Sequence, residues 1–94
     1  MRSHPKIDAN HTAIVKALRE RGCSVQSLAS VGKGCPDILV GLRKQNFLLE
    51  IKDGAKIPSK RTLTEHEQKF FDTWTGQVAK VESVEEALAA VGLK

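Results

Sequence analysis

Ile38-Leu39-Val40-Gly41-Leu42-Arg43-Lys44-Gln45-Asn46-Phe47-Leu48-Leu49-Glu50-Ile51-Lys52 holds two apolar runs parted by four polar residues. The first run, directly after Asp37, reads as a buried strand; the polar stretch Arg43-Lys44-Gln45-Asn46 reads as a tight turn, and the whole as a β-hairpin. In the second run the two-residue period of a strand puts Phe47, Leu49 and Ile51 on one face and Leu48, Glu50 and Lys52 on the other. The surrounding apolar residues indicate a sheet covered by other layers, so Glu50 and Lys52 project two residues apart at a buried depth. A buried carboxylate is costly unless a cation or hydrogen bonds compensate it. Asp37, at the start of the paired strand, brings a second carboxylate beside the first. Two such acids repel, and a divalent ion between them relieves the repulsion. Hard oxygen ligands suit Mg2+ or Mn2+, and Lys52 adds a positive charge able to orient a water. The group has the parts of a phosphodiester hydrolase.

Outward from the hairpin, Ile7, Asn10, Ile14, Ala17, Leu18 and Arg21 recur at three- and four-residue steps. They predict an amphipathic helix from Asp8 to Arg21, stopped by Gly22. Asn10 lies on its inward stripe, as a helix-entry cap or as a group aimed at the site. Ser24 to Ser30 is a weak strand expected at a sheet edge, and Val31-Gly32-Lys33-Gly34-Cys35-Pro36 is a turn by its glycines and proline. Gly54 to Thr62 carries Lys56, Lys60 and Arg61 with no apolar period, which predicts a mobile basic loop. Thr64-x-x-Glu67 is a capping box opening a helix through Gln68, Phe70, Phe71 and Trp74 to Gly76. Val78 to Val81 reads as a short strand. Ser83-x-x-Glu86 is a second capping box, before a last helix whose stripe is Val84, Ala87, Leu88 and Val91. The expected order is helix, three strands, helix, strand, helix: an α/β fold with a mixed central sheet flanked by helices.

Ninety-four residues, 40% apolar and 28% charged, suit a single domain over 1–94 with a thin core that gains from a partner subunit. The sequence has neither a bilayer-length apolar run nor a signal-peptide stretch in residues 1–20, so a cytoplasmic chain without membrane contact is expected. Cys23 and Cys35, twelve apart, form neither a disulfide framework nor a CxxC pair and are read as reduced structural thiols. The net charge of +4 is unevenly spread. Twelve basic and five acidic side chains give residues 1–61 a charge of +7, while three and six give residues 62–94 a charge of −3. The first part would meet an anionic partner such as nucleic acid, since phosphate neutralisation supplies most non-specific affinity.

Taken alone, a Glu-x-Lys on a strand is a surface pair worth little, and Pro-Asp an ordinary turn. Their joint register is what carries meaning. Pro36-Asp37, twelve intervening residues, then Glu50-Ile51-Lys52 resembles the PD-(D/E)xK nuclease superfamily motif on its hairpin. Asp8-Ala9-Asn10 opening a helix, the glycine-flanked turn before Pro36-Asp37, Glu-Ile-Lys-Asp-Gly and Leu-Thr-x-x-Glu-Gln look like the small phage and prophage members of the virus-type replication-repair nuclease (VRR-NUC) group. The resemblance runs from about Ile7 to Val91 and implies a restriction-endonuclease-like core.

The resemblance also implies roles. Asp37 and Glu50 would supply metal-binding carboxylates, the Ile51 main-chain carbonyl a further ligand, and Lys52 the water-orienting charge. Gln68 matches a glutamine the family places beside the active site. Where many superfamily members have a glutamate on the first helix this chain offers Asn10, a neutral amide able to meet the metal's water shell. Implied is Mg2+- or Mn2+-dependent hydrolysis of DNA leaving a 5′-phosphate, by a homodimer suited to paired nicking of four-way junctions.

Lys56, Lys60 and Arg61, with Lys33, Arg43 and Lys44 as further candidates, would grip phosphates without reading bases. With no base-reading helix in the sequence, action on branched or flapped DNA is favoured over sequence-specific cutting. Two other classes stay open: a non-catalytic DNA-binding module of the same fold, and a small dimeric structural protein. His4, His11 and His66 are too scattered for a zinc site; His4 is placed in a frayed terminus and His11 on a helix-start surface. Phe70, Phe71 and Trp74 are read as core residues of their helix rather than a base-stacking platform.

Overall fold

The computed structural model describes residues 9–94. The expectations placed on His4, Ile7 and Asp8 lie outside them. Helix α1 (Ala9–Glu20) is followed by strands β1 (Ser24–Ser27), β2 (Ile38–Leu42) and β3 (Gln45–Ile51), a short 3-10 turn over Pro58–Lys60, helix α2 (Glu65–Thr73), strand β4 (Val78–Val81) and helix α3 (Val84–Ala90). The four strands form one mixed sheet in the order β1-β2-β3-β4, antiparallel except for the parallel pair β3 and β4. β1 is therefore an edge strand, as its interleaved polar residues suggested.

The hairpin turn is tighter than its four polar residues implied. Leu42 pairs with Gln45, leaving Arg43 and Lys44 as a two-residue connection. Both have positive φ, 52° and 69°, the twist that joins antiparallel strands without splaying them. Gln45 and Asn46 belong to β3.

Side-chain alternation splits the sheet into two faces. On one, Ile38, Val40, Phe47, Leu49, Ile51 and Val81 pack with Ile14 and Leu18 of α1 and with Ala87 and Val91 to form the core. Leu39 and Leu48, directly paired, lie on the other, which they share with Glu50. There Leu28, Leu39 and Leu48 border a groove of about 480 Å³ with Phe70 and Trp74. β3 is buried without interruption from Phe47 to Ile51 rather than on alternate residues, while Gln45 and Asn46 beside the turn are exposed.

Four local expectations change. Trp74 is 47% exposed, stacked on Phe70 with ring centroids 5.0 Å apart, and α2 contains no buried residue. Its aromatic stripe lines the open groove instead of entering the core. Trp74 turns to extended backbone and caps the helix, which stops at Thr73 rather than running to Gly76. At α3 the Ser83 side chain accepts from the Glu86 amide, but the Glu86 carboxylate accepts from Glu82 N–H, one residue before the cap, so the box is not reciprocal. The stretch after β3 is also tethered: Arg61 Nε donates to the Lys56 carbonyl at 2.7 Å, and Nη1 to Glu82 at 3.2 Å. No helix among the described residues is long and apolar enough to cross a membrane.

Candidate metal centre at the open end of the hairpin

The pairing of β2 with β3 ends at Ile38 and Leu49, one residue short of Asp37 and Glu50, and the two acids are near enough for the charge of Asp37 to act on Glu50. Asp37 precedes β2, and its Oδ2 accepts the Ile51 main-chain N–H at 2.7 Å. This bond fixes the aspartate beside the last residue of β3.

Glu50 is 3% exposed. Its Oε1 is the one buried side-chain oxygen or nitrogen among the described residues with no hydrogen-bond partner. Burial first, then the negative charges of Asp37 and Glu67 and a side-chain hydrogen bond with Glu67, outweighs the charge of Lys52 and pushes its carboxyl up to about 9. Lys52 Nζ lies 3.5 Å from Glu50 Oε2 and 2.9 Å from Glu67 Oε1. Burial works against the ammonium, but the bond to Glu67 and the charge of Glu50 outweigh it, and the Lys52 value rises. Glu67 shifts the opposite way: burial opposes its charged form, while the bonds from Lys52 and from the Thr64 N–H hold the carboxyl below its ordinary value. The arrangement is two carboxyls of opposite shift, Glu50 raised and Glu67 lowered, sharing one lysine.

Glu67 is the residue that sequence reasoning missed. As the N3 carboxylate of its capping box it accepts the Thr64 N–H at 2.8 Å, and the same oxygen receives the Lys52 ammonium. The capping pattern assigned it a local purpose and hid the long-range one. Gln68, one position further, faces elsewhere: it is exposed and donates to Asp72 on its own helix at 2.9 Å. Asn10 acts as a clamp, donating from Nδ2 to the Lys52 carbonyl at 2.8 Å and to the Glu82 carbonyl at 3.2 Å. It joins the start of α1 to the ends of β3 and β4. Ile51 ends β3 between Glu50 and Lys52.

The approach of α2 to this end depends on Gly34. At φ +81°, a Cβ there would lie 2.4 Å from the His66 carbonyl oxygen and 2.9 Å from the Glu67 nitrogen. Gly34 thus packs directly on the first turn of α2, the turn that carries Glu67 to Lys52. Cys35 follows Gly34; its thiol is raised by burial and by the charges of Glu50 and Asp37. Cys23 sits in the core, and both thiols are free.

The basic residues divide between the two ends of the sheet. Lys33 adjoins Gly34 in sequence, and Lys56, Lys60 and Arg61 lie in the stretch that leaves β3 at its Glu50 end, where Arg61 is tied to Glu82. Arg43 and Lys44 sit at the hairpin turn; Lys44 is six strand residues from Glu50, about 20 Å at the rise of an extended chain.

Two carboxylates, one with a bare buried oxygen, fit a small divalent ion, because Mg2+ commonly takes only one or two protein carboxylates and keeps water for the rest. No cage of three or more His, Cys, Asp or Glu side chains is found among the described residues. Soft-metal or closed structural sites are not what this donor set resembles. Compared with known proteins, the chain matches no family model, no curated protein and no solved structure.

Proposed function

We propose that the chain is a divalent-metal-dependent deoxyribonuclease with a restriction-endonuclease-like core, hydrolysing phosphodiester bonds in branched DNA such as four-way junctions or flaps. The observation that carries this reading is Glu50: a buried carboxylate within reach of the Asp37 charge, with one bare oxygen and an ammonium alongside. A fold retains so costly a group where it serves chemistry, and metal plus lysine beside paired acids is the chemistry of phosphoryl transfer.

Asp37 and Glu50 would hold Mg2+ or Mn2+, with the Ile51 carbonyl as a further ligand. The ion would supply positive charge against the negative charge that builds on phosphorus. Lys52 orients the attacking water with an ammonium kept charged by Glu67. Asp37 is held in place by the Ile51 N–H, so the metal-binding pair needs little rearrangement. Lys33, Lys56 and Lys60 would supply charge for the phosphate backbone, and the chain would act as a homodimer, each copy cutting one strand.

The test is cleavage of a labelled panel of duplex, splayed, flap and four-way DNA with Mg2+ or Mn2+. Cutting that stops with chelator and is lost in Asp37→Ala, Glu50→Ala and Lys52→Ala is expected, with salt-sensitive DNA binding retained. Binding without cleavage across the panel would assign the chain to a non-catalytic DNA-binding module instead. Near-normal turnover in any of the three variants would remove that residue from its role.

A further inference from the structure

The geometry points to Glu67 as a positioning residue that draws the Lys52 ammonium away from Glu50 and so keeps a Glu50 oxygen open to the divalent ion. This inference rests on the metal site proposed above and extends it by a residue outside the hairpin motif.

The ammonium has two carboxylates within reach and sits closer to Glu67, at 2.9 Å against 3.5 Å from Glu50. An ammonium in close contact with Glu50 would compete with any cation for the same lone pairs. Glu67 limits that by offering a closer acceptor, which holds the ammonium 3.5 Å from Glu50 Oε2. Its own position is fixed twice: its carboxylate is tied to the Thr64 N–H in the capping box, and its backbone nitrogen lies against Gly34. A carboxylate on a free side chain would follow the lysine; this one is anchored to a helix terminus and makes the lysine come to it. Lys52 faces Glu50 only through Oε2, at the longer of its two distances, and Oε1 of the buried Glu50 has no partner.

Two roles of Glu67 can be separated by chemistry. Glu67→Gln keeps a side-chain oxygen for the Thr64 N–H, so the capping box survives while the charge that attracts Lys52 is lost. Thr64→Ala removes the hydroxyl half of the box but leaves the ion pair intact. Lys52→Met removes the competing ammonium with little change in shape.

The experiment measures Mn2+ binding to the full chain by electron paramagnetic resonance, with no DNA present. Outer residues that orient a metal's ligands typically alter affinity by 10–100-fold when changed; Glu67→Gln is expected to weaken Mn2+ by about tenfold. Thr64→Ala should lower the melting temperature without moving Mn2+ affinity. In a Lys52→Met background Glu67→Gln should have less than about a twofold effect, because the ammonium it restrains is gone. Equal weakening in both backgrounds would overturn the inference, showing that Glu67 acts on the ion directly through its charge. An unchanged affinity in Glu67→Gln would overturn it too, while leaving the metal site standing. The site itself fails on a different result: no Mn2+ bound by the unmodified chain, or binding unaltered by Glu50→Gln.

Discussion

Glu50 couples the stability of the chain to pH. An unfolded glutamate titrates near its ordinary value of about 4.5, and the folded one near 9. Between these values the folded chain holds a proton that the unfolded chain has released. Stability from this group is therefore complete below the unfolded value and declines as pH rises toward the folded one, by about 1.4 kcal/mol per pH unit. Glu50→Gln, neutral at every pH, removes the decline. In urea unfolding without metal, the variant should be clearly more stable than the unmodified chain at pH 8 and almost equal to it near pH 4.5. Adding Mn2+ should stabilise the unmodified chain and leave Glu50→Gln unchanged. Parallel pH profiles for the two proteins would show that Glu50 stays ionised on burial. At this scale the hairpin residues were legible, because a two-residue period and one register place Asp37, Glu50 and Lys52 without further information. Glu67 was not. A capping box explains a glutamate locally, and nothing in the spacing of Thr64-x-x-Glu67 reveals that the carboxylate has a second donor from a residue fifteen positions away. Asn10 was open between cap and site for a similar reason: its two acceptors, the carbonyls of Lys52 and Glu82, are fixed only once β3 and β4 lie side by side.

Among the elements, α2 is set in place by contacts at its first turn more than by an apolar face. It buries no residue, and its aromatic stripe borders a groove instead of filling the core. Helical periodicity shows which residues share a face but not whether another layer closes over that face, which is why Trp74 was misplaced. What α2 has instead is the capping box, the Lys52–Glu67 ion pair and the close approach of Gly34. Two glycines of one turn let the last of these be isolated. Gly32 and Gly34 both have positive φ, +75° and +81°, but a Cβ at Gly32 meets nothing within 4 Å, whereas one at Gly34 meets the backbone of His66 and Glu67. Gly32→Ala should show only the left-handed backbone penalty, about 1–2 kcal/mol. Gly34→Ala should show that penalty plus the cost of pushing a helix terminus aside, a further 1–3 kcal/mol or about that. The measurement is the urea midpoint of each variant. Equal losses would mean that α2 gives way freely and does not hold Glu67 against the site.

At the scale of the molecule, positive charge has to meet phosphate near the carboxylates for the proposed reaction to occur. The structure sorts the basic residues in a way their order in the sequence could not. Arg61 is committed inside the protein: its guanidinium bonds the Lys56 carbonyl and Glu82, its own carbonyl accepts from Lys80, and Lys80 pairs with Glu82 at 3.1 Å. Lys56 and Lys60 are exposed in the same stretch, so they, rather than Arg61, are available to a backbone phosphate. On duplex DNA each neutralised phosphate contributes about 0.9 to the slope of log affinity against log salt. Lys56→Gln with Lys60→Gln should therefore flatten that slope by as much as about 1.8, and weaken binding to different sequences alike. Arg61→Gln should leave the slope nearly intact and lower the melting temperature, since it detaches the loop from β4 rather than from DNA. Arg43→Gln with Lys44→Gln, about 20 Å away along β3, serves as the spatial control. If the hairpin-turn pair flattens the slope and the loop pair does not, the phosphate-binding surface lies at the wrong end of the sheet for Asp37 and Glu50 to reach the bond, and DNA binding and the buried acids belong to different functions.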